Sequence, residues 1–433
     1  MKINKLVLTG VGFLSIACSV AVAETITVAT VNNGDMIRMQ GLMKDFNDKH
    51  PDIKVNWVTL EENILREKVT TDIATKGGQY DIMTIGTYEV PIWGKQGWLL
   101  PLEFSAEYDV DDLLPAIRSG LTVDGKLYAA PFYGESSMLM YRKDLMDKAG
   151  IKMPKKPTWD DVAKAAEKIT DKENNVYGIC LRGKAGWGEN MAFLSAMSNS
   201  FGARWFDEKW KPQLDSKQWA KTLNTYLDLM KKYGPPGAAS NGFNENLTLF
   251  QQGKCGMWID ATVAASFITN PKDSTVADKV DFALAPDNGL GKRGNWLWAW
   301  SLAIPASTKK AEAAKTFIEW ATSKDYLNLV AEKEGWANVP PGTRKSLYAN
   351  PEYAKVPFAK MTLDSINSAD PAHPTVDPVP YIGIQFVAIP EFTGFATTVG
   401  QEFSAALAGD KTAEEALSAA QAIVTREMEK AGY

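Results

Sequence analysis

The stretch that decides the fold is Thr25-Ile26-Thr27-Val28-Ala29-Thr30-Val31, whose alternation of β-branched residues predicts a strand. The alternating segment at 53–57 and the segment at 81–85 predict the next strands along the chain. Between the strands, apolar residues recur at helical spacing, and His50-Pro51 and Gly77-Gly78 end the two helices. This strand–helix order predicts an α/β fold with a parallel sheet that carries helices on both faces.

Two polar loops follow predicted strands of this sheet and are candidates for ligand contact. Ligands of such sheets bind at the carboxyl ends of the strands. The loop at 32–35 offers Asn33 and Asp35, and the loop at 86–89 offers Tyr88, an aromatic face beside a carboxylate. We expect Asp35 to cap the following helix, and we predict that Asn33 and Tyr88 contact a ligand.

The remaining chain carries a second set of strands and helices and then becomes mainly helical. Strands are predicted at 138–141, 176–181 and 255–259, and amphipathic helices are predicted at 311–322 and 412–430. The length of 433 residues is enough for two domains, each with its own core.

The first 23 residues have the features of a cleaved signal peptide. A basic start precedes a short apolar run, and Ala21-Val22-Ala23 fits the small-x-small cleavage pattern, which makes Glu24 the expected mature N-terminus. The run is shorter than the ~20 residues that a membrane-spanning helix needs. Cys18 leaves a lipoprotein as the less favoured alternative, and we expect export to the periplasm.

Charge and the content of histidine and cysteine exclude several classes of protein. The formal net charge of −5 becomes −7 when Lys2 and Lys5 are removed with the leader, which argues against nucleic acid and against a polybasic membrane patch. Only two histidines occur, each before a proline, so neither a His-based triad nor a His-rich metal site is expected. Cys180 and Cys255 could form one disulfide in an oxidising compartment or remain buried thiols.

Enzyme motifs are weak in this sequence. The segment Gly289-Leu290-Gly291-Lys292-Arg293-Gly294 matches GxGxxG, but a β-type Trp stretch follows where a dinucleotide site needs a helix. A secreted glycoside-processing enzyme is the main alternative, because it needs only a carboxylate pair, which Glu135, Glu189 and Asp260 could supply. We expect a binding protein that has no catalytic residues, cofactor or metal.

Four patterns, in order along the chain, resemble the family 1 extracellular solute-binding proteins of ABC importers, the maltose-binding-protein group. They are Phe46-Asn-Asp-Lys-His-Pro-Asp-Ile-Lys-Val55, Asp81-Ile-Met-Thr-Ile-Gly86, Glu135-Ser-Ser-Met-Leu-Met-Tyr141-Arg-Lys-Asp144-Leu and Gly253-Lys-Cys-Gly-Met257-Trp. Within that family, the stretches at 185–190, 295–305 and 380–390 are similar to the sorbitol/mannitol-binding branch.

The resemblance implies a two-lobed periplasmic binding protein fold of type II, in which each lobe is a mostly parallel sheet flanked by helices. It implies an N-terminal lobe of residues 24–134 plus 261–306 and a C-terminal lobe of residues 135–260 plus 307–433. It further implies a monomer that clamps a sugar alcohol, or a related monosaccharide, between its lobes. The partner would be the permease subunits of an ABC importer.

Hydroxyl-rich ligands need aromatic faces against their C–H surfaces and planar polar groups that exchange paired hydrogen bonds. Trp296 and Trp298 alternate with Trp300, so all three share one strand face, which is either a cleft wall or core. Arg182 directly follows a predicted strand, and its donors suit vicinal hydroxyls, with a surface ion pair as the alternative. The polar loop after Arg182 adds Trp187, Glu189 and Asn190.

Three further candidates come from their position relative to the lobes. Asp260 ends a predicted strand at a crossover. The family resemblance implies a polar ligand contact at Glu135 and a ligand-capping role for Trp336. The full set of predicted ligand contacts is Asn33, Tyr88, Glu135, Arg182, Trp187, Glu189, Asn190, Asp260, Trp296, Trp298 and Trp336.

Overall fold

The computed structural model describes residues 23–433, so the predicted signal peptide lies outside the described residues except for Ala23. The strands are β1 Glu24–Val31, β2 Ile53–Leu60, β3 Ile82–Ile85, β4 Thr122–Val123, β5 Lys126–Leu127, β6 Ala129–Glu135, β7 Ser137–Arg142, β8 Met257–Ala261, β9 Val280–Leu284 and β10 Trp298–Ala303. The α-helices are α1 Gly34–Gly41, α2 Met43–Lys49, α3 Glu62–Thr75, α4 Glu89–Lys95, α5 Pro115–Gly120, α6 Lys143–Lys148, α7 Trp159–Ile169, α8 Asn190–Ser200, α9 Lys217–Tyr233, α10 Phe243–Gln251, α11 Ala264–Ile268, α12 Ala311–Ala321, α13 Lys324–Glu334, α14 Lys345–Ala349, α15 Ala359–Asn367, α16 Phe392–Ala408 and α17 Ala413–Ala431. Along residues 23–433, none of these helices is both long and apolar enough to span a membrane.

The larger sheet has five strands in the order β2-β1-β3-β10-β6. β1 pairs in parallel with β2 and β3, as the sequence predicts, and its side chains Ile26, Val28 and Val31 are fully buried. β10 runs antiparallel to β3 and to β6. The sheet is therefore mixed, because β10 runs opposite to the strands on both of its sides.

A three-stranded sheet of order β8-β7-β9, called the smaller sheet below, corrects the expectation of a mostly parallel sheet in each lobe. β7 is antiparallel to both β8 and β9. The segment predicted as a strand at 176–181 contributes only isolated bridges, which are parallel from Tyr177 to Cys255 and from Cys180 to Trp258 and antiparallel from Val176 to Asp171. Hydrophobic periodicity marks a strand but carries no information on its direction, which is why the sequence pattern does not predict this arrangement.

The two sheets are connected by chain segments that pack closely against one another. β6 and β7 are separated only by Ser136, whose hydroxyl donates to the Trp296 carbonyl at 2.6 Å. The Gly134 N–H donates to the Pro341 carbonyl at 2.9 Å. Gly342 has a φ of +72°, and a Cβ at this position would lie 1.9 Å from the Gly134 oxygen. The junction is therefore narrow, and its backbones approach more closely than any side chain allows.

Sheet membership gives a different division from the predicted lobe limits. The range 261–306 contains β9, which pairs with β7 in the smaller sheet. By contrast, α12 lies beyond that range and packs on β1 and β6 of the larger sheet. We propose that the second crossing between the lobes lies between β9 and β10, and that α12 belongs to the N-terminal lobe.

Local sequence preferences explain where several helices begin and end. Thr158 forms a capping box with Asp161 at the start of α7. The helices predicted at 311–322 and 412–430 are confirmed as α12 and α17. Asp35 does not cap α1, contrary to expectation, because α1 already begins at Gly34 and Asp35 instead forms an ion pair with Arg38.

A disulfide joins Cys180 to Cys255, whose Cα atoms are 5.9 Å apart. It ties the segment that bridges to Trp258 to the chain two residues before β8. Of the two alternatives left open by the sequence, the structure has the disulfide.

Candidate functional site

A cavity lies between the two sheets, where the ends of β6 and β8 meet the start of β10. About 430 Å³ of space, open solvent included, lies among its lining atoms. Its lining residues, called the wall below, are Asn33, Glu62, Arg66, Glu135, Arg182, Trp187, Gly188, Ala192, Phe243, Ala261, Val263, Trp296, Trp298, Trp300 and Gln385. The wall therefore combines side chains from both halves of the molecule.

The structure brings six of the eleven predicted contact residues to the wall. These six are Asn33, Glu135, Arg182, Trp187, Trp296 and Trp298. The other five lie outside the wall and are Tyr88, Glu189, Asn190, Asp260 and Trp336.

Arg182 is held from behind the wall by two carboxylates. Its Nε and Nη2 donate to the two oxygens of Asp260 at 2.9 and 2.7 Å, and its Nη1 donates to the Gly188 carbonyl at 2.9 Å. Glu189 lies 3.4 Å from the same Nη1. Asp260 also accepts from the Trp258 indole and from the next backbone N–H. The pair is thus buried, not on the surface, and Asp260 orients Arg182 without reaching the cavity.

Three indoles form one side of the cavity. Trp296, Trp298 and Trp300 all line it, as their alternation predicts, although Trp296 precedes the first residue of β10. Trp298 pairs across the sheet with Glu135 of β6, so an aromatic face and a carboxyl stand side by side. A glycine is required at Gly86 beneath them, because a Cβ there would lie 1.9 Å from the Trp298 ring.

A buried ion network at the start of α3 is not predicted by the sequence pattern. Arg66 donates to Glu62 and to Glu89, both at 2.8 Å. Its guanidinium lies 4.0 Å from the centroid of the Trp187 ring and within 5.0 Å of two of the β10 indoles. The i,i+4 spacing of Glu62 and Arg66 directly after a strand was the available pattern, but the same spacing is common on exposed helix faces.

Asn33 occupies the N-cap position of α1 but makes no capping bond with its side chain. Its amide instead donates to the Tyr133 hydroxyl at 2.9 Å. This bond fixes the amide at the cavity wall, where an amide group can exchange hydrogen bonds with a hydroxyl.

Burial alters two carboxyl groups at or near the wall. Desolvation raises the pKa of Glu135 well above its usual range, against the opposing charge of Arg182. Desolvation, together with the negative charge of Glu62, raises the pKa of Glu189 to about 8. A neutral carboxyl both donates and accepts hydrogen bonds. Glu135 can therefore donate to the oxygen of a ligand hydroxyl or accept from its O–H group.

Three more of the predicted contact residues lie outside the wall: Tyr88, Asn190 and Trp336. The Tyr88 hydroxyl donates to the Ile389 carbonyl at 2.9 Å, and its ring packs 4.9 Å from that of Trp187. The amide of Asn190 ties its own loop to α16. Trp336 is half-buried on a short 3-10 turn. Tyr88 therefore supports Trp187 from behind.

The wall offers aromatic faces, a guanidinium, an amide and carboxyl groups around a small volume. Of the three carboxylates considered for glycoside cleavage, only Glu135 reaches the wall, since Glu189 and Asp260 contact Arg182. Within residues 23–433, no group of three or more His, Cys, Asp or Glu is arranged to hold a metal ion. The arrangement suits a small uncharged ligand with several hydroxyl groups.

Comparisons with known proteins agree with this geometry. A mannitol-binding protein of Pseudomonas aeruginosa is 56% identical over 412 residues, which cover 95% of this chain and 94% of the relative. An ABC transporter solute-binding protein of Agrobacterium vitis S4, solved with bound D-mannitol, is 75% identical, with a TM-score of 0.94 over 95% of this chain and 100% of that one. A solute-binding protein of Agrobacterium radiobacter K84 in complex with ribitol is 27% identical, with a TM-score of 0.81 over 93% and 98%.

The same two-lobed fold extends over nearly the whole described chain in these solved structures. The relatives are solute-binding proteins and not enzymes, which removes the glycoside-processing alternative. Residues 33–327 match the family described as bacterial extracellular solute-binding protein. The chain therefore belongs to the family of bacterial extracellular solute-binding proteins.

Proposed function

We propose that the protein is the substrate-binding component of an ABC importer and captures an acyclic hexitol, with D-mannitol as the preferred ligand. One observation carries this proposal: a solute-binding protein that is 75% identical across 95% of the chain was solved with bound D-mannitol. The P. aeruginosa relative, a mannitol-binding protein, supports the same ligand.

The cavity supports a linear polyol over a disaccharide. Four indoles, from Trp187, Trp296, Trp298 and Trp300, occupy volume that a second sugar ring would need. Their faces cover aliphatic C–H groups, while Asn33 offers an amide for the hydroxyls of the ligand. A site built on such buried polar groups discriminates against a ligand that leaves them unpaired.

The wall residues are the proposed ligand contacts, and a second group acts through them. Arg182 and Glu135 would exchange hydrogen bonds with hydroxyl groups, and Asp260 and Glu189 would hold Arg182 in place. Tyr88 would act in the same indirect way on Trp187. Ligand contact by Asn190 and by Trp336 stays a prediction. Their positions outside the wall favour a structural role instead.

Delivery to a permease requires export, and we therefore propose that the protein is located in the periplasm. The leader of residues 1–23 would be cleaved to leave Glu24 as the first residue, and lipid attachment at Cys18 is the alternative. Intact mass measurement of the protein recovered from the periplasm distinguishes the two. A lipidated mass, or an uncleaved leader, would contradict the proposed processing.

Calorimetry with D-mannitol, D-sorbitol, ribitol and maltose tests the ligand. D-Mannitol should bind with one-to-one stoichiometry and more tightly than maltose, and no product should form. Arg182→Lys should weaken D-mannitol binding at least tenfold, because an ammonium cannot reproduce a planar bidentate guanidinium. The matched control is Arg426→Lys, whose side chain is 61% exposed, and it should leave affinity unchanged. Tighter binding of maltose would refute the hexitol assignment.

A further inference from the structure

A thin partition separates the ligand cavity from a second, open groove. The groove lies between α4 and the segment 380–390, and about 1970 Å³ of space, open solvent included, lies among its lining atoms. Within residues 23–433, Gln385 is the one residue that lines both the cavity and the groove. Its side chain therefore forms part of the only shared boundary between the two spaces in the described chain.

The partition is completed by the backbone of Leu297. The Gln385 amide donates to the Leu297 carbonyl at 2.7 Å and accepts from the Leu297 N–H at 3.4 Å. Trp296 and Trp298 line the cavity, whereas Leu297 between them lines the groove, as the alternation of an extended chain requires. One layer of extended backbone and one amide side chain thus close this end of the cavity.

The segment that carries Gln385 is fixed on both sides. The Ala388 N–H donates to the Ile382 carbonyl at 3.0 Å, and the Gly383 N–H donates to the Pro371 carbonyl at 2.8 Å. The adjacent Phe386 ring packs on the Trp298 ring, with centroids 6.2 Å apart. Gln385 is itself only 3% exposed, so these contacts surround most of its side chain.

We propose that Gln385 determines ligand length, by closing one end of the cavity so that a hexitol fits and a longer ligand is excluded. The proposal rests on the proposed hexitol-binding function. A longer ligand would have to displace the Gln385 amide and leave it and the Leu297 backbone unpaired in a buried place, which is unfavourable. Removal of the side chain would join the cavity to the groove, where an extension of the ligand could lie.

The symmetry of D-mannitol makes this proposal testable with one compound. The two ends of D-mannitol are chemically equivalent, so a substituent on a terminal oxygen can always be turned toward the partition. D-Mannitol that carries one glucosyl residue on a terminal oxygen is therefore the extended ligand for the test. Its hexitol part keeps every hydroxyl except the one that is substituted.

The experiment compares Gln385→Ala with the wild type by calorimetry on both ligands. The wild type should bind D-mannitol and bind the glucosyl derivative at least a hundredfold more weakly. Gln385→Ala should bind the derivative within about tenfold of its own affinity for D-mannitol. Gln96→Ala is the matched control, because Gln96 lines the groove but not the cavity and is exposed. The control should keep the wild-type preference.

Gln385→Ser provides a second variant with a short side chain that can still bond to Leu297, and the same gain is expected. The proposal is overturned if either variant, folded by circular dichroism, rejects the glucosyl derivative, or if the wild type accepts it as well as D-mannitol. A wild type that binds no hexitol would instead refute the proposed function. The two failures are therefore distinguishable.

Discussion

Removal of the Asp260 carboxylate should destabilise the folded protein more than any surface charge deletion. In Asp260→Ala the Arg182 guanidinium stays buried, 6% exposed, and loses three hydrogen bonds to the carboxylate. An uncompensated buried charge of this kind costs about 3–5 kcal/mol. The Trp258 indole loses an acceptor as well. Glu189 lies 3.4 Å from Arg182 and, although burial favours its neutral form, it can ionise once Asp260 is removed and supply part of the missing charge, so we expect about 3 kcal/mol.

The assay is urea denaturation of the ligand-free protein, followed by far-ultraviolet circular dichroism. Asp228→Ala is the matched control, since Asp228 is 69% exposed and pairs with Lys232 at 3.5 Å. An exposed pair contributes about 0–1 kcal/mol, so the control should change the free energy of unfolding little. If Asp260→Ala lost no more than this control, Asp260 could not be the residue that neutralises Arg182.

Three further outcomes follow from the structure. Because burial raises the pKa of Glu189 to about 8 from 4.5, the folded state binds a proton that the unfolded chain releases, so the melting temperature should rise as pH falls from 8 toward 5. Glu189→Gln should flatten that slope, and an unchanged slope would contradict the assignment. The disulfide joins residues separated by 75 positions, so replacing Cys180 and Cys255 together by serine should lower the free energy of unfolding by about 2–4 kcal/mol, measured by urea titration, and a loss under about 0.5 kcal/mol would count against it. Saturating D-mannitol should reduce the radius of gyration in small-angle X-ray scattering, and an unchanged radius would argue against lobe closure.

Local sequence patterns were sufficient to predict the main strands and helices and part of the cavity wall. The β-branched alternation at 25–31 predicts β1, because Ile26 and Val28 are buried whereas Thr25 is exposed. The alternation of Trp296, Trp298 and Trp300 predicts a shared face because side chains of extended backbone alternate. The placement of Arg182 directly after an apolar segment likewise brought a cation to the cavity.

Other features depend on contacts that are distant in sequence. An aspartate at a strand end, such as Asp260, gives the same pattern whether it faces a ligand or an arginine, and only the packing of Arg182 decides. In the sequence, Glu62 and Arg66 have the i,i+4 spacing of an ordinary surface ion pair. Their burial depends on the indoles of β10, which are distant in sequence. Gln385 lies in an irregular segment without periodicity, so no local pattern relates it to Leu297.

The contact of Arg66 with Trp187 has an optical consequence. Arg66 belongs to a helix that packs on the larger sheet, whereas Trp187 follows the segment that bridges to the smaller one. The Trp187 and Trp298 rings meet across the cleft with centroids 5.8 Å apart. Separation of the lobes would move both indoles, which are at most 4% exposed, toward water and take the guanidinium away from one of them. Ligand capture should therefore shift the fluorescence emission of the native tryptophans, and Trp187→Phe should remove much of that shift. Ligand occupancy can thus be followed by intrinsic fluorescence without a label.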